Sequence, residues 1–161
     1  MILIGLGANL PSPAGPPLAT LKAALDALAR NGAEPVSISR FYQTQAWPDP
    51  ADPPFVNAVA QVKTELSPAS LLARLQEIER SFGRIEGPRN APRSLDLDIL
   101  DYDGRIEAGP PRLPHPRMER RAFVLVPLAD LAPDWRHPVS GHSVKDLIGE
   151  LADASQIMPI A

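Results

Sequence analysis

"SLDLDILDY", residues 94–102, alternates apolar and acidic side chains: Leu95, Leu97 and Ile99 fall on one side of an extended backbone, Asp96 and Asp98 on the other. That is the period of a strand with one face in a core. The two carboxylates sit two strand rises apart, roughly 7 Å. Carboxylates that close raise each other's pKa and repel unless a cation lies between them. A hard divalent ion such as Mg2+ takes one or two protein carboxylates and completes its shell with phosphate oxygens and water. Two readings therefore stand open at this point: a solvated strand face, or half of a metal site.

The strand needs partners, and the flanking sequence supplies them. Upstream, Ser67 and Pro68 form a cap followed by a first-turn proline, and Leu71, Leu72, Leu75, Ile78 and Phe82 recur at helical spacing up to Gly83, predicting a helix over 68–82. Before it, "FVNAVAQVKTEL", from residue 55, places Val56, Ala58, Ala60 and Val62 on one face and Phe55, Asn57, Val59 and Gln61 on the other. "PVSISRFYQT", residues 35–44, alternates Val36 and Ile38 with serines and predicts another half-buried strand. Leu18, Leu21, Leu25 and Leu28 predict a helix over 17–31, stopped by Asn31 and Gly32, and "ILIGL" predicts an opening strand over 2–6. Downstream come a turn at "YDGR", a loop "GPPRLPHPR", a helix in "ERRAFVLVPLADLAP" and a shorter one in "SVKDLIGEL". The order strand, helix, strand, strand, helix, strand is a split β-α-β arrangement. The expectation is an α+β, ferredoxin-like fold in which helices pack on an antiparallel sheet, with residues 1–161 forming a single domain.

Composition narrows the function classes. The 161 residues are 44% hydrophobic and 22% charged with a formal net charge of -3, which argues against disorder and against a sequence-blind grip on nucleic acid. Absence of cysteine removes disulfides, thiolate metal sites and cysteine nucleophiles. "MILIGLGANL" lacks a basic leader and no run approaches the length of a membrane span, so a soluble cytoplasmic protein is expected. Twenty prolines cluster between the elements and mark loops; the one over 45–54, "QAWPDPADPP", is too long for a tight hairpin and suits a functional loop.

Basic side chains surround the acidic strand. Arg84, Arg89 and Arg93 precede it, and Arg112, His115, Arg117, Arg120 and Arg121 follow. Guanidinium forks match phosphate oxygens, so carboxylates flanked by arginines suit a polyphosphate held with Mg2+, although any one loop arginine has the simpler reading of a solvated charge. "GLGANL" lacks the G-x-x-x-x-G-K-[ST] spacing of a P-loop. Phe55 and Asn57 share a strand face, offering a flat aromatic surface beside an amide, which suits a planar heterocycle as well as ordinary packing. Gln76 and Glu79 share a helix face. Trp47 and Trp135 fit packing roles in proline-rich turns.

Together "GLGANL", "FYQTQAW", "FVNAVA", "LLARLQEIERSFGR", "APRSLDLDIL" and "LPHPRMERRAFVLVPLADLAP" resemble the 6-hydroxymethyl-7,8-dihydropterin pyrophosphokinase family over nearly the whole chain. The resemblance implies a three-layer α-β-α fold and transfer of the β,γ-pyrophosphoryl group of ATP, the co-substrate, to the pterin's hydroxymethyl oxygen, releasing AMP. It implies two Mg2+ ions on Asp96 and Asp98, and phosphate binding and catalysis by Arg93, His115 and Arg121. It places Gln76, Glu79 and Arg84 near the nucleotide, puts the pterin between Phe55 and Phe123, and has Thr44 and Asn57 reading its polar edge. Loops over 45–54 and 83–92 would close over the substrates, with Asn90 and Ala91 standing where many relatives carry Trp-Gly. A monomer without nucleic-acid or membrane partners completes the expectation. The rival readings are a ferredoxin-like module gripping single-stranded RNA on its sheet and a metal-dependent phosphohydrolase using the same aspartates with water as acceptor.

Overall fold

A computed structural model describes residues 1–45, 49–84 and 93–160. Six strands form one sheet: β1 (Ile2–Ala8), β2 (Glu34–Ile38), β3 (Tyr42–Thr44), β4 (Phe55–Lys63), β5 (Asp96–Tyr102) and β6 (Met158–Pro159), in the order β5-β1-β4-β3-β6 with β2 also on β4. Every pairing is antiparallel. Helices α1 (Pro17–Arg30) and α2 (Pro68–Ser81) cover one face, and α3 (Ala122–Leu131) with α4 (Val144–Gly149) covers part of the other. The architecture is the α+β, ferredoxin-like, three-layer arrangement that the element order and the resemblance anticipated.

The alternation in β5 sorts its side chains between layers. Leu95, Leu97 and Ile99 are buried beneath α1 and α2 with Leu21, Leu71 and Leu75. Register with β1 slips by one residue between Leu3 and Ile4, since Ile4 faces Ile99 while Leu3 faces Asp101. The extra residue turns both Leu100 and Asp101 toward the α3 layer, as a bulge does. Leu100 packs with Leu125 and Leu128, and buried Asp101 accepts a hydrogen bond from Trp135 Nε1 at 2.9 Å. Tyr102 returns to the first core, its hydroxyl donating to the Leu66 carbonyl.

Several expectations are corrected. β1 continues through Gly7 to Ala8 because β5 pairs with it as far as Gly7 and β4 as far as Ala8. The single strand expected over 35–44 is two strands. Its pairing with β4 slips at Val36 and again between Ile38 and Tyr42, where the Ser39 hydroxyl accepts the Val59 N–H at 3.0 Å. β2 pairs only with β4, and Val36 and Ile38 on this edge are 54% and 38% exposed rather than buried. The helix expected in 119–133 begins at Ala122, preceded by a 3-10 turn over Met118–Arg120, because Arg121 is extended (φ -114°, ψ 100°) and serves as the α3 N-cap. Helix α2 starts as its sequence indicated, with Ser67 Oγ accepting the Ser70 N–H at 3.2 Å. Of the two expected loops, residues 46–48, including Trp47, and 85–92, including Arg89, Asn90 and Ala91, lie outside the described residues.

Candidate active site

Gly7 lines the uncovered part of the sheet, while Gly5 lies under Leu100. Gly5 and Gly7 take the β1 positions between β4 and β5, Gly5 opposite Asp98 and Gly7 opposite both Asn57 and Asp96. A Cβ on Gly7 would stand 2.7 Å from Asn57 Oδ1, so only glycine lets that carboxamide lie where it does. The result is a cleft of about 780 Å3 between the sheet and the segment leading into α3.

At one end are Phe55 and Asn57 of β4, Thr44 of β3 and Phe123 of α3. Thr44 is the cross-strand partner of Phe55. Asn57 is 6% exposed and its Nδ2 has no hydrogen-bond partner, an expensive condition for a buried donor. Arg121 lies 5.4 Å over the Phe123 ring and links this end to the other.

At the other end Arg93, Asp96, Asp98, His115 and Arg121 converge. Arg93 Nη1 is 3.3 Å from Asp96 Oδ2, and His115 Nε2 is 3.9 Å from Asp98 Oδ1. Burial, reinforced by the Asp96 charge and offset by Arg121, pushes the Asp98 carboxyl up to about 7. Its side chain nevertheless keeps 35% of its surface open, so the carboxyl titrates within reach of solvent and of an entering cation. Burial, with Arg121 and Arg117 nearby, brings the His115 imidazole down to about 4. The ring is therefore neutral at pH 7. Its Nδ1 accepts the Arg117 N–H at 3.3 Å, which assigns the proton to Nε2, the nitrogen nearer Asp98. Burial lowers the Arg121 pKa, against the pull of Asp98.

Gln76, Glu79 and Arg84 stand apart and do not line this cleft. Gln76 is exposed on α2. Glu79 is buried at the outer edge of β5, where its Oε2 accepts the Leu97 N–H at 2.8 Å and is ion-paired to Arg84. Arg84 also reaches Asp96 at 2.8 Å, so this group touches the cleft through Asp96. Burial raises the Glu79 pKa, countered by the Leu97 N–H and Arg84.

Other contributors had weaker signals. Arg117 and Arg120 line the cleft but carried no periodicity in a loop of several arginines. Asn9, in the "GLGANL" run, is 2% exposed; its Oδ1 accepts the Arg93 N–H at 2.8 Å and its Nδ2 donates to the Pro53 carbonyl at 3.0 Å. Asp153 and Gln156 reach the cleft from a part of the chain with no motif to mark it.

A family model described as 7,8-dihydro-6-hydroxymethylpterin-pyrophosphokinase (HPPK) matches residues 3–133. The 2-amino-4-hydroxy-6-hydroxymethyldihydropteridine pyrophosphokinase of a Synechocystis strain is 40% identical over 161 residues, covering 99% of this chain and 80% of the relative. The protein of that name in Pseudomonas aeruginosa is 44% identical over 144 residues, covering 88% of this chain and 86% of its own. A crystal structure of wild-type Plasmodium falciparum HPPK-DHPS shares the fold with a TM-score of 0.69 at 16% identity; the match covers 91% of this chain and 43% of that one. This chain belongs to the 7,8-dihydro-6-hydroxymethylpterin-pyrophosphokinase family.

Proposed function

We propose that the protein transfers the β,γ-pyrophosphoryl group of ATP to 6-hydroxymethyl-7,8-dihydropterin, giving the pterin diphosphate and AMP in folate biosynthesis. The observation that carries the reading is one cleft with two chemically different ends: an aromatic pair beside an unpartnered carboxamide donor, and a carboxylate pair among arginines. Phe55 and Phe123 hold the planar acceptor, and Asn57 with Thr44 reads its polar edge. Arg93 and Arg121 bind phosphate oxygens. His115, neutral with its proton on Nε2, donates a hydrogen bond rather than a proton. Glu79 and Arg84 act on the nucleotide end by fixing Asp96, and Gln76 lies on the same helix.

The donor set at Asp96 and Asp98 fits Mg2+. Among the described residues no group of three or more acidic, histidine or cysteine side chains forms a cage, as suits an ion that takes the rest of its shell from phosphate and water. Asp96 and Asp98 would hold two Mg2+ ions, which when bound supply charge neutralisation along the triphosphate. The chain's own part is positional. The hydroxymethyl oxygen attacks the β-phosphorus in line and gives up its proton to water, the bond from that phosphorus to the oxygen bridging it to the α-phosphate breaks, and AMP departs with that oxygen. The two ends of the cleft align donor and acceptor for that displacement. A monomer acting in the cytoplasm belongs to the same proposal; no helix among the described residues is long and apolar enough to cross a membrane.

The test is AMP formation from ATP and Mg2+ with and without the hydroxymethyl pterin. AMP should require the pterin, whereas equal AMP without it would replace this reading by hydrolysis. Asp98→Ala should lower Mg2+-dependent turnover ~100–1000-fold or more while leaving pterin binding in place, the lower figures being the loss of one main charge-stabilising group; retained turnover would remove the carboxylate pair from the mechanism.

A further inference from the structure

Residues 134–160 lie beyond the stretch matched by the family model, yet part of them borders the cleft. A 3-10 turn over Ala154–Gln156 is held by the Gln156 N–H donating to the Asp153 carbonyl at 3.0 Å. In this helix type side chains three apart eclipse, so Asp153 and Gln156 project side by side. The turn is anchored on both flanks. Ile157 is 7% exposed and packs with Tyr42 and Ala122, and β6 pairs with β3 through Tyr42 opposite Pro159 and Gln43 opposite Met158. The Ile160 N–H closes the attachment, donating to the Phe41 carbonyl at 2.8 Å. These contacts fix the turn beside Thr44, the last residue of β3. Gln156 also borders a neighbouring hollow of about 600 Å3 together with Thr44, Gln45 and Pro50, three residues that line the main cleft as well. Gln156 therefore belongs to the aromatic end of the cleft. Both side chains are exposed and neither holds the fold together.

We infer that the C-terminal turn is a wall of the acceptor end of the cleft, and that Gln156 and Asp153 determine specificity there by hydrogen bonding the acceptor's polar groups. A carboxylate takes only donors and a carboxamide takes both kinds, so the pair matches a heterocycle that presents ring N–H or amino groups beside acceptors. A carboxylate with no cation or arginine between it and a triphosphate is unfavourable there, which is a further reason for the pair to serve the acceptor. The inference rests on the acceptor reading proposed above and adds two residues to it.

The experiment varies pterin and ATP separately in steady-state assays of the full chain, and measures pterin binding by calorimetry in the presence of Mg2+ and a non-hydrolysable ATP analogue. Gln156→Ala and Asp153→Ala should each raise the pterin KM and Kd ~3–30-fold, the range for losing a neutral or charge-assisted hydrogen bond, with kcat and the ATP KM within about twofold. Ser155→Ala, in the same turn but outside the cleft lining, should change neither constant. A merely structural role would instead lower the melting temperature and disturb both substrates. If wild-type protein binds pterin and both variants bind it equally well, the wall assignment is overturned and the acceptor site stands. If wild-type protein does not bind pterin, the acceptor reading falls and this inference with it.

Discussion

Asp98 and His115 stand 3.9 Å apart, and burial moves their pKa values in opposite directions. Asp98, raised to about 7, holds its proton longer folded than unfolded, so it contributes stability at low pH that is lost as pH rises from about 4 to 7. His115, lowered to about 4, binds its proton more weakly folded than unfolded, so it costs stability as pH falls from about 6.5 to 4. The two slopes oppose one another over most of that window. In chelator-treated protein, the contributions of these two groups to the denaturation midpoint should therefore largely cancel between pH 4 and 6.5. Asp98→Asn should unmask a midpoint that rises with pH, and His115→Gln one that falls. The carboxylates were legible in the sequence because strand alternation forces Asp96 and Asp98 onto one face. The proton affinity of Asp98 was not, because it is set first by burial and then by Asp96 and Arg121, and Arg121 joins the site only through the extended backbone at its own position.

At the scale of elements, β5 is an outer strand whose Leu97 N–H would otherwise lack a partner, and Glu79 of α2 supplies it. Glu79→Ala should cost about 2–4 kcal/mol in denaturant titrations, since it strands that buried donor and leaves Arg84 with Asp96 alone. Glu79→Gln, which keeps an acceptor for Leu97, should cost less. Helical spacing gave α2 and the shared face of Gln76 and Glu79, but the bond from Glu79 to the Leu97 N–H depends on how α2 packs against β5, which spacing along one helix does not carry. Gly7→Ala should act at a distance: its new methyl would displace the Asn57 carboxamide and raise the pterin KM several-fold, with kcat changing less. The "GLG" pattern gave no sign of this while it was compared only with phosphate loops. Its spacing of two belongs to a strand face, and that face became meaningful once Asp96, Asp98 and Asn57 were paired across it.

For the whole molecule, the sheet is backed by α1 and α2 on one face and only partly covered by α3 and α4 on the other, where the cleft lies. Ligands that bind there and not to the unfolded chain should raise the melting temperature by mass action. At 100 times its Kd, one ligand adds about 2.7 kcal/mol, or about 5–10 °C for a chain of this size. Thermal scans with the pterin alone, and with ATP and Mg2+ alone, check this separately for each end of the cleft. Layering was legible because β4, β5 and both long helices carry their own periodicity and β1 is a short apolar run. The broken β2–β3 edge was not, since a one-residue slip leaves composition unchanged. The shared carboxamide of Asn9 carries a consequence at this scale. One side chain holds Pro53, just before the strand that bears Phe55, and Arg93, just before the strand that bears Asp96. A shift at either anchor is felt at the other, so occupation of one end should alter affinity at the opposite end, and by the same factor in both directions. Asn9→Ala should leave each substrate bound singly but weaken that reciprocity.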